Sequence, residues 1–254
     1  MALSMCVTVS CFPQAARVPI ETCKICPKPK PKLFVPDDTT ELPEWIVFLA
    51  GDRVIATDSD LVSDDPLPFV IDHTPNAGLP VSGRRIVLPV DDGFLVGWNR
   101  GEWGGELMRY SADGRQSYKI SDAHVLAILP LDNMPLLIEG LAHGTSDEGQ
   151  ISQLRRINGR YTAVPYWKLP AAPRVSAVDK AGTIIMATGN SVFALSRNGH
   201  FRTIISEARW DNAAWANSIV LKDGFAYIGM GSAVLKLRLS DGRERWLSGD
   251  GVSR

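Results

Sequence analysis

The sequence lacks several features that would assign the protein to a familiar functional class. It has no run of about 20 apolar residues, the length that a helix needs to span a bilayer. It has no basic surplus, since 27 Lys and Arg stand against 28 Asp and Glu, and this balance argues against a protein that neutralises the phosphates of a nucleic acid. No cysteine follows Cys26, so the rest of the chain folds without disulfides. The hydrophobic content of 45% argues against a wholly disordered chain and is ordinary for a folded protein.

The N-terminus has the composition of an export segment. Residues 1–11 are apolar, rich in small side chains and free of acidic groups, although the basic start of a signal peptide is missing, as a start codon placed too far downstream would explain. The stretch Thr8-Val9-Ser10-Cys11 resembles a degraded bacterial lipobox and makes Cys11 the candidate for lipidation. The expected location is therefore the periplasm or, as a lipoprotein, the outer membrane. A cytoplasmic protein with a frayed terminus is the alternative.

Residues 12–40 are predicted to form a flexible linker. Proline and lysine alternate from Pro27 to Lys32, which removes backbone donors and brings like charges together. Cys23 and Cys26 have redox or zinc-motif spacing, but neither a βαβ context nor further ligands accompany them. A local disulfide and two free thiols both remain open for this pair.

The body, residues 41–254, has the pattern of an all-β protein. Short apolar or alternating runs are separated by turn residues, and no segment repeats its apolar residues with the 3.6-residue period of a helix. Asn-Gly and Asp-Gly pairs, which supply the positive φ angles of tight hairpins, recur at intervals of 40 to 45 residues. Their glycines are Gly114, Gly159, Gly199 and Gly242. A second series of turn residues, 40 to 49 residues apart, consists of Gly51, Gly93, Asn133, Gly182 and Gly224.

A period of about 42 residues with several strands in each unit predicts a β-propeller. A lone four-stranded sheet cannot cover its two apolar faces, whereas radial stacking against neighbouring sheets buries both of them. Five blades fit the body, and six are possible if residues 58–92 contain further strands. The predicted protein is thus one five-bladed propeller preceded by a disordered N-terminal arm.

Two units carry a more specific pattern. Residues 182–199 and 224–246 each contain a strand, a turn, a second strand and an Asn-Gly or Asp-Gly turn, and the second unit ends in Trp246. They resemble the repeat of PQQ-like and WD40-like bacterial β-propellers. The resemblance implies the fold and hardly bears on function. It does not imply the cofactor, because the PQQ-dependent dehydrogenases are larger, typically eight-bladed proteins with a vicinal disulfide and a metal, and this body has no cysteine.

The repeat is broken in blades 2 and 3, whose loops between the second and third strands are longer than those of blades 4 and 5. These loops cover residues 97–106 and 140–149, and in a propeller they open on the same face as connections between blades, such as residues 208–217. They predict a partner-binding rim. Its members are Trp98, Asn99, Arg100, Glu102, Trp103, Glu106, His143, Asp147, Glu148, Trp210, Asp211 and Trp215.

The composition of this rim favours protein binding, because exposed Trp and Arg dominate the energetics of protein interfaces. We therefore expect a monomeric, non-catalytic module that binds another protein, by analogy an envelope scaffold or an inhibitor or immunity protein of a secreted hydrolase. The competing interpretation of Trp98 and Trp103 is that they pack over blade edges.

Two other functions remain open from the sequence. A carbohydrate-binding or glycoside-cleaving propeller is the first alternative, since Trp beside acids suits sugar stacking, and Glu102 with Glu106, or Asp147 with Glu148, supplies two carboxylates. A quinoprotein-like propeller is the second. The sequence indicates no metal site, no cofactor and no nucleic acid partner.

Overall fold

Strands account for nearly all of the regular structure in the part of the chain that can be described. The computed structural model describes residues 17–26, 45–58, 65–71, 84–131, 134–207, 216–231 and 233–248. These residues form twenty β-strands and two short 3-10 turns, at Ile20–Thr22 and Gly101–Trp103. Within these ranges, no helix has the length and apolar character to cross a membrane.

The strands form five antiparallel sheets, which follow one another along the chain as blades 1 to 5. Blade 1 contains β3 (Trp45–Ala50) and β4 (Arg53–Asp58), with β1 (Arg17–Pro19) added outside β4. Blade 2 contains β5 (Arg84–Val90), β6 (Gly93–Asn99), β7 (Gly105–Ser111) and β8 (Ser117–Ser121). Blade 3 contains β9 (Val125–Leu129), β10 (Leu136–His143), β11 (Ser146–Ile157) and β12 (Arg160–Leu169).

Blades 4 and 5 complete the series. Blade 4 contains β13 (Val175–Val178), β14 (Ile184–Ala187), β15 (Val192–Leu195) and β16 (Phe201–Ile205). Blade 5 contains β17 (Ser218–Lys222), β18 (Phe225–Gly229), β19 (Val234–Arg238) and β20 (Glu244–Ser248), with β2 (Lys24–Cys26) added outside β20. The five-bladed all-β fold is thereby confirmed. In the range suspected of hiding a sixth blade, residues 65–71 form no strand, and residues 59–64 and 72–83 lie outside the described part.

The two series of turn residues mark one end of the molecule. The first series, Gly114, Gly159, Gly199 and Gly242, joins the third and fourth strands of blades 2 to 5. The described members of the second series, Gly51, Gly93, Gly182 and Gly224, join the first and second strands, and Asn133 lies outside the described residues. We call this end the lower face. Gly114 and Gly242 have φ angles of 73° and 72°, which an L side chain adopts only with strain. The loops between second and third strands open at the opposite end, which we call the upper face.

Alternation along each strand sends apolar side chains to both neighbouring blades. In β10, Leu136 and Ile138 pack with Ile184 of blade 4, whereas Leu137 between them packs with Leu95 of blade 2. Comparable clusters join blades 4 and 5 and blades 5 and 1. Each blade therefore depends on its neighbours for the burial of its faces.

The first and last blades are joined directly. The backbone N–H of Trp45 donates to the carbonyl of Met230 (3.1 Å), and that of Val47 donates to Ser218 Oγ (2.8 Å). The inner strands β3, β5, β9, β13 and β17 contribute to the lining of an open central cavity of about 500 Å³. On blade 2, the side toward blade 1 is covered by residues 65–71, whose Phe69 packs on Phe94.

The N-terminal segment differs in part from its predicted role as a flexible linker. Residues 17–26 form β1 and β2, which pair with β4 of blade 1 and β20 of blade 5. Between them, Ile20 is only 7% exposed and belongs to the apolar cluster shared by these two blades. The free edges of β4 and β20 and the apolar cluster around Ile20 thus order part of a segment that its composition predicts to be a flexible linker. Cys23 is a thiol that donates to the Pro19 carbonyl, whereas Cys11 and residues 27–44 lie outside the described residues.

One test of the blade 2 and 3 packing concerns Gly97 of β6. A Cβ at this position would lie 2.4 Å from Val125 Cγ1, a buried side chain of β9. We expect Gly97→Ala to lower the free energy of unfolding by about 1–3 kcal/mol through overpacking. Gly189→Ala is the control, because a Cβ there meets no heavy atom within 4 Å. Urea denaturation should show partial recovery in Gly97→Ala/Val125→Ala, and additive losses would contradict the contact.

Candidate functional site

The upper loops of blades 2 and 3 meet, as the sequence predicted for loops of neighbouring blades. The 3-10 turn Gly101–Trp103 follows β6 and contacts β10. His143 Nε2 at the end of β10 lies 2.8 Å from Glu102 Oε2. The strand reaches this point because β10 has eight residues against four in β14, which makes it about 14 Å longer. The lengthened hairpin of blade 3 therefore supports the loop of blade 2.

The two tryptophans of the blade 2 loop have different environments. Trp103 is 52% exposed on the 3-10 turn, whereas Trp98 in β6 is 6% exposed and packs edge to face on Tyr110. Asn99, which follows Trp98, accepts a hydrogen bond from the Gly101 N–H through its Oδ1 (2.9 Å). For Trp98 the packing interpretation is correct. Trp103 alone of this pair presents a large aromatic surface to solvent.

Arg100 and Glu106 belong to the interior of blade 2, which differs from their predicted place on an exposed rim. Arg100 Nη2 donates to Glu106 Oε1 (2.8 Å), and the two side chains are 11% and 10% exposed. Glu106 lies directly opposite Trp98 in the sheet. Burial, and then the nearby charge of Glu106, raises the pKa of Tyr110. The charges of Arg100 and Glu106 thus neutralise each other beneath the loop, and little of either side chain is accessible to a partner.

The acids of the blade 3 hairpin separate onto two sides. Asp147 and Glu148 are exposed and consecutive in β11, so their side chains leave opposite faces of the sheet. Asp147 Oδ1 accepts a hydrogen bond from the Ala172 N–H (2.7 Å), which fixes the connection to blade 4. Since Glu102 pairs with His143 and Glu106 with Arg100, each of three carboxylates already has a protein partner.

An open cleft of about 470 Å³ lies below the rim at the blade 2 and 3 junction. Its polar lining includes Asp122, His124, Glu139, Glu148, Gln150 and Lys168. Glu139 Oε1 accepts hydrogen bonds from Ser152 Oγ (2.7 Å) and Gln150 Nε2 (3.1 Å). His124 Nδ1 is buried without a hydrogen-bond partner.

This cleft was not predicted from the sequence. The available signal was Glu139, a polar residue directly after the predicted strand Leu136–Ile138, and Gln150 lies opposite it in β11. Trp210, Asp211 and Trp215, the other predicted rim residues, lie outside the described residues. Among the residues that are described, no three His, Cys, Asp or Glu side chains gather as metal ligands would.

Comparisons with known proteins yield distant structural similarities. No family model and no curated protein matches the chain. Virginiamycin B lyase from Staphylococcus aureus is 16% identical over 67% of this chain and 57% of its own, with a TM-score of 0.47. A streptogramin B lyase structure is 14% identical over 69% of this chain and 58% of its own, with a TM-score of 0.48.

A third similar structure is the extracellular domain of a hybrid two-component system from B. thetaiotaomicron. It is 18% identical over 66% of this chain and 22% of its own, with a TM-score of 0.47. The chain thus spans less than two thirds of the length of these three structures. All three TM-scores lie below 0.5, so these similarities carry no argument about what this chain binds or catalyses.

Proposed function

We propose that the protein is a non-catalytic binding module that holds another protein on its upper face, around Trp103. The observation that carries the proposal is the exposed indole on a loop that two blades support. An aromatic side chain that is half accessible and set on a rigid base is the usual centre of a protein interface.

The loop is held in one conformation by its own hydrogen bonds. The Arg100 N–H donates to the Gly104 carbonyl (2.9 Å), and the Trp103 N–H donates to the Arg100 carbonyl (3.2 Å). The contact of Glu102 Oε2 with His143 Nε2 (2.8 Å) ties the loop to blade 3. Little conformational entropy is then lost when Trp103 enters a partner's pocket, which favours binding.

The charges around Trp103 indicate the partner's chemistry. Glu102 and Glu148 are exposed on the side of blade 3 that faces blade 2, whereas Asp147 is exposed on the side that faces blade 4. A complementary partner presents an apolar pocket for the indole with basic groups at its edge. The structural roles of Glu102, Glu106 and Asp147 support binding over hydrolysis, which requires two carboxylates that face one substrate. An envelope protein, including a secreted hydrolase, is the partner class that the export-like N-terminus favours.

Replacing Trp103 with Ala should abolish partner capture and leave the fold intact. We expect the amount of one envelope protein retained by the variant to be at least about tenfold lower than the amount retained by the unaltered chain, since loss of an interface hot spot costs about 2 kcal/mol or more of binding free energy. The free energy of unfolding should change by less than about 0.5 kcal/mol, because the side chain is exposed. Quantitative mass spectrometry of proteins retained on the immobilised full-length chain measures the first effect, and urea denaturation measures the second.

The matched control for this experiment is Tyr166→Ala. Tyr166 is 38% exposed and lies near Gly199 at the lower face. The substitution therefore removes an accessible aromatic side chain far from the rim. It should retain the protein that Trp103→Ala loses. Equal retention by the two variants, or a large stability loss in Trp103→Ala, would contradict the proposed site.

A further inference from the structure

The side of blade 5 that points to blade 1 carries an unusual concentration of positive charge near the lower face. Lys236 of β19 lies directly opposite Tyr227 of β18 and Arg245 of β20. Arg238, two residues further along β19, lies opposite Phe225, and its N–H donates to the carbonyl of Arg243. Cross-strand partners and residues two apart share one side of a sheet. We call this set of Lys236, Arg238, Arg243 and Arg245 the cationic face.

Three of these cations form no ion pair with the residues that the structure describes. Arg238 Nε lies 2.9 Å from Asp241 Oδ1, and that carboxylate also accepts a hydrogen bond from the backbone N–H of Arg243 (3.1 Å). No ion pair with a described residue joins Lys236, Arg243 or Arg245. Like charges that lie directly opposite each other destabilise a sheet. The sequence nevertheless keeps Lys236 opposite Arg245.

The acids nearest to this face are already engaged by other cations. Glu21 accepts a hydrogen bond from Arg53 (2.6 Å), and Asp52 accepts one from Lys222 (2.6 Å). The hydrogen bond from Lys222 lowers the pKa of Asp52, and backbone and Arg53 hydrogen bonds lower the pKa of Glu21. Both acids therefore remain ionised beside their own partners.

Aromatic rings hold Lys236 in place. Its Nζ lies 4.4 Å from the ring centroid of Phe225 and 5.2 Å from that of Tyr227. Such cation–π contacts fix the ammonium group and leave its charge uncompensated by an anion. The face is thus both positive and ordered.

Two adjoining hollows open on the cationic face. One has a volume of about 450 Å³, and its charged lining consists of Lys222, Lys236, Arg245 and the ion-paired Arg53, Glu21 and Asp52. The other has a volume of about 140 Å³ and is lined by Phe225, Lys236, Arg238, Arg243 and Arg245. Because Lys236 and Arg245 line both, the hollows form one elongated site.

We propose that the cationic face binds an oligomeric anion that carries sulfate or phosphate groups. Two arginine forks and an ammonium group suit the oxygens of such groups, which Arg binds with paired hydrogen bonds. The elongated site favours a chain of charged units over a single ion. The net charge of −1 is a sum over the whole chain and therefore does not reveal this local excess of cations. The site is separate from the rim around Trp103.

The test compares three anions on the full-length chain by isothermal titration calorimetry in about 50 mM NaCl, where screening is moderate. Polyphosphate and a heparin oligosaccharide represent phosphate and sulfate chains, and polyglutamate represents an acidic peptide of similar charge. We expect polyphosphate, heparin or both to bind, and polyglutamate to bind at least about tenfold more weakly, because its carboxylates are spaced along a flexible chain. Binding of only one oxyanion chain assigns the group that the site recognises.

The matched variants each replace two exposed arginines. Arg243→Gln/Arg245→Gln should raise the Kd at least about tenfold through loss of charge-assisted hydrogen bonds, whereas Arg115→Gln/Arg155→Gln, which makes the same change in net charge, should stay within about twofold. Circular dichroism should show thermal midpoints that are unchanged or raised for the first variant, since like-charge repulsion is relieved. Absence of binding by both oxyanion chains, equal binding of polyglutamate, or equal losses in the two variants would overturn the proposal.

Discussion

Replacing Glu106 with Ala is expected to lower the free energy of unfolding by about 3–5 kcal/mol. The effect is large even though the sequence pattern predicts that Glu106 is an exposed residue of the rim. The reason is the guanidinium of Arg100, whose Nη2 lies 2.8 Å from Glu106 Oε1 in the interior of blade 2. With Glu106 present, the two buried side chains neutralise each other. Without Glu106, the guanidinium loses this counter-charge. Urea denaturation followed by tryptophan fluorescence measures the loss.

Two further variants make this prediction specific. Glu102→Ala also removes a carboxylate that contacts a side chain of basic type, but the side chains of Glu102 and His143 are 45% and 60% exposed, so the loss should stay within about 1 kcal/mol. Arg100→Met/Glu106→Leu should recover most of the stability, because apolar side chains of similar volume replace a buried pair at little cost. A loss in Glu106→Ala no larger than that in Glu102→Ala would show that the Arg100 pair is effectively solvated.

Removing residues 1–26 is expected to destabilise the propeller and cause self-association. The loss of Ile20 from the cluster between blades 1 and 5 alone should cost about 2–5 kcal/mol. Loss of β1 and β2 also exposes the outer edges of β4 and β20, which are then free to pair with other chains. Urea denaturation and the molar mass from light scattering measure the two effects.

The control for this deletion is a chain that lacks residues 1–16 and keeps β1 and β2. It should match the stability and the molar mass of the full-length protein. A chain without residues 1–26 that is equally stable and shows no added self-association would show that the added strands contribute nothing to the closure of the ring.

The fold could be predicted from local signals that repeat. Asn-Gly and Asp-Gly turns between apolar runs specify hairpins in any context, and their period reveals the number of blades. The runs Trp45–Ala50 and Leu136–Ile138 coincide with β3 and with the first residues of β10. The meeting of the blade 2 and 3 loops followed from the same period, and the contact of Glu102 with His143 agrees with it.

What sequence could not supply was the side of the sheet that each residue takes. Trp98 and Trp103 look alike in a glycine-rich loop. Trp98, however, lies within β6 on the side of blade 2 that residues 65–71 cover, whereas Trp103 follows the strand on a 3-10 turn. The partner of Arg100 was hidden for the same reason. The order in residues 17–26 depends on edges in blades 1 and 5, which no local pattern of the segment reveals.

The pairing of β2 with β20 has a consequence for synthesis. Ile25 and Leu247 lie opposite each other, although more than 200 residues separate them along the chain. Contacts of such long range are slow to form because closure of the intervening loop must come first. Blades 2 to 4 can pack on one another before β20 has been synthesised, but β2 can pair only once Glu244–Ser248 is present, and a chain that stops short of Glu244 leaves β2 unpaired.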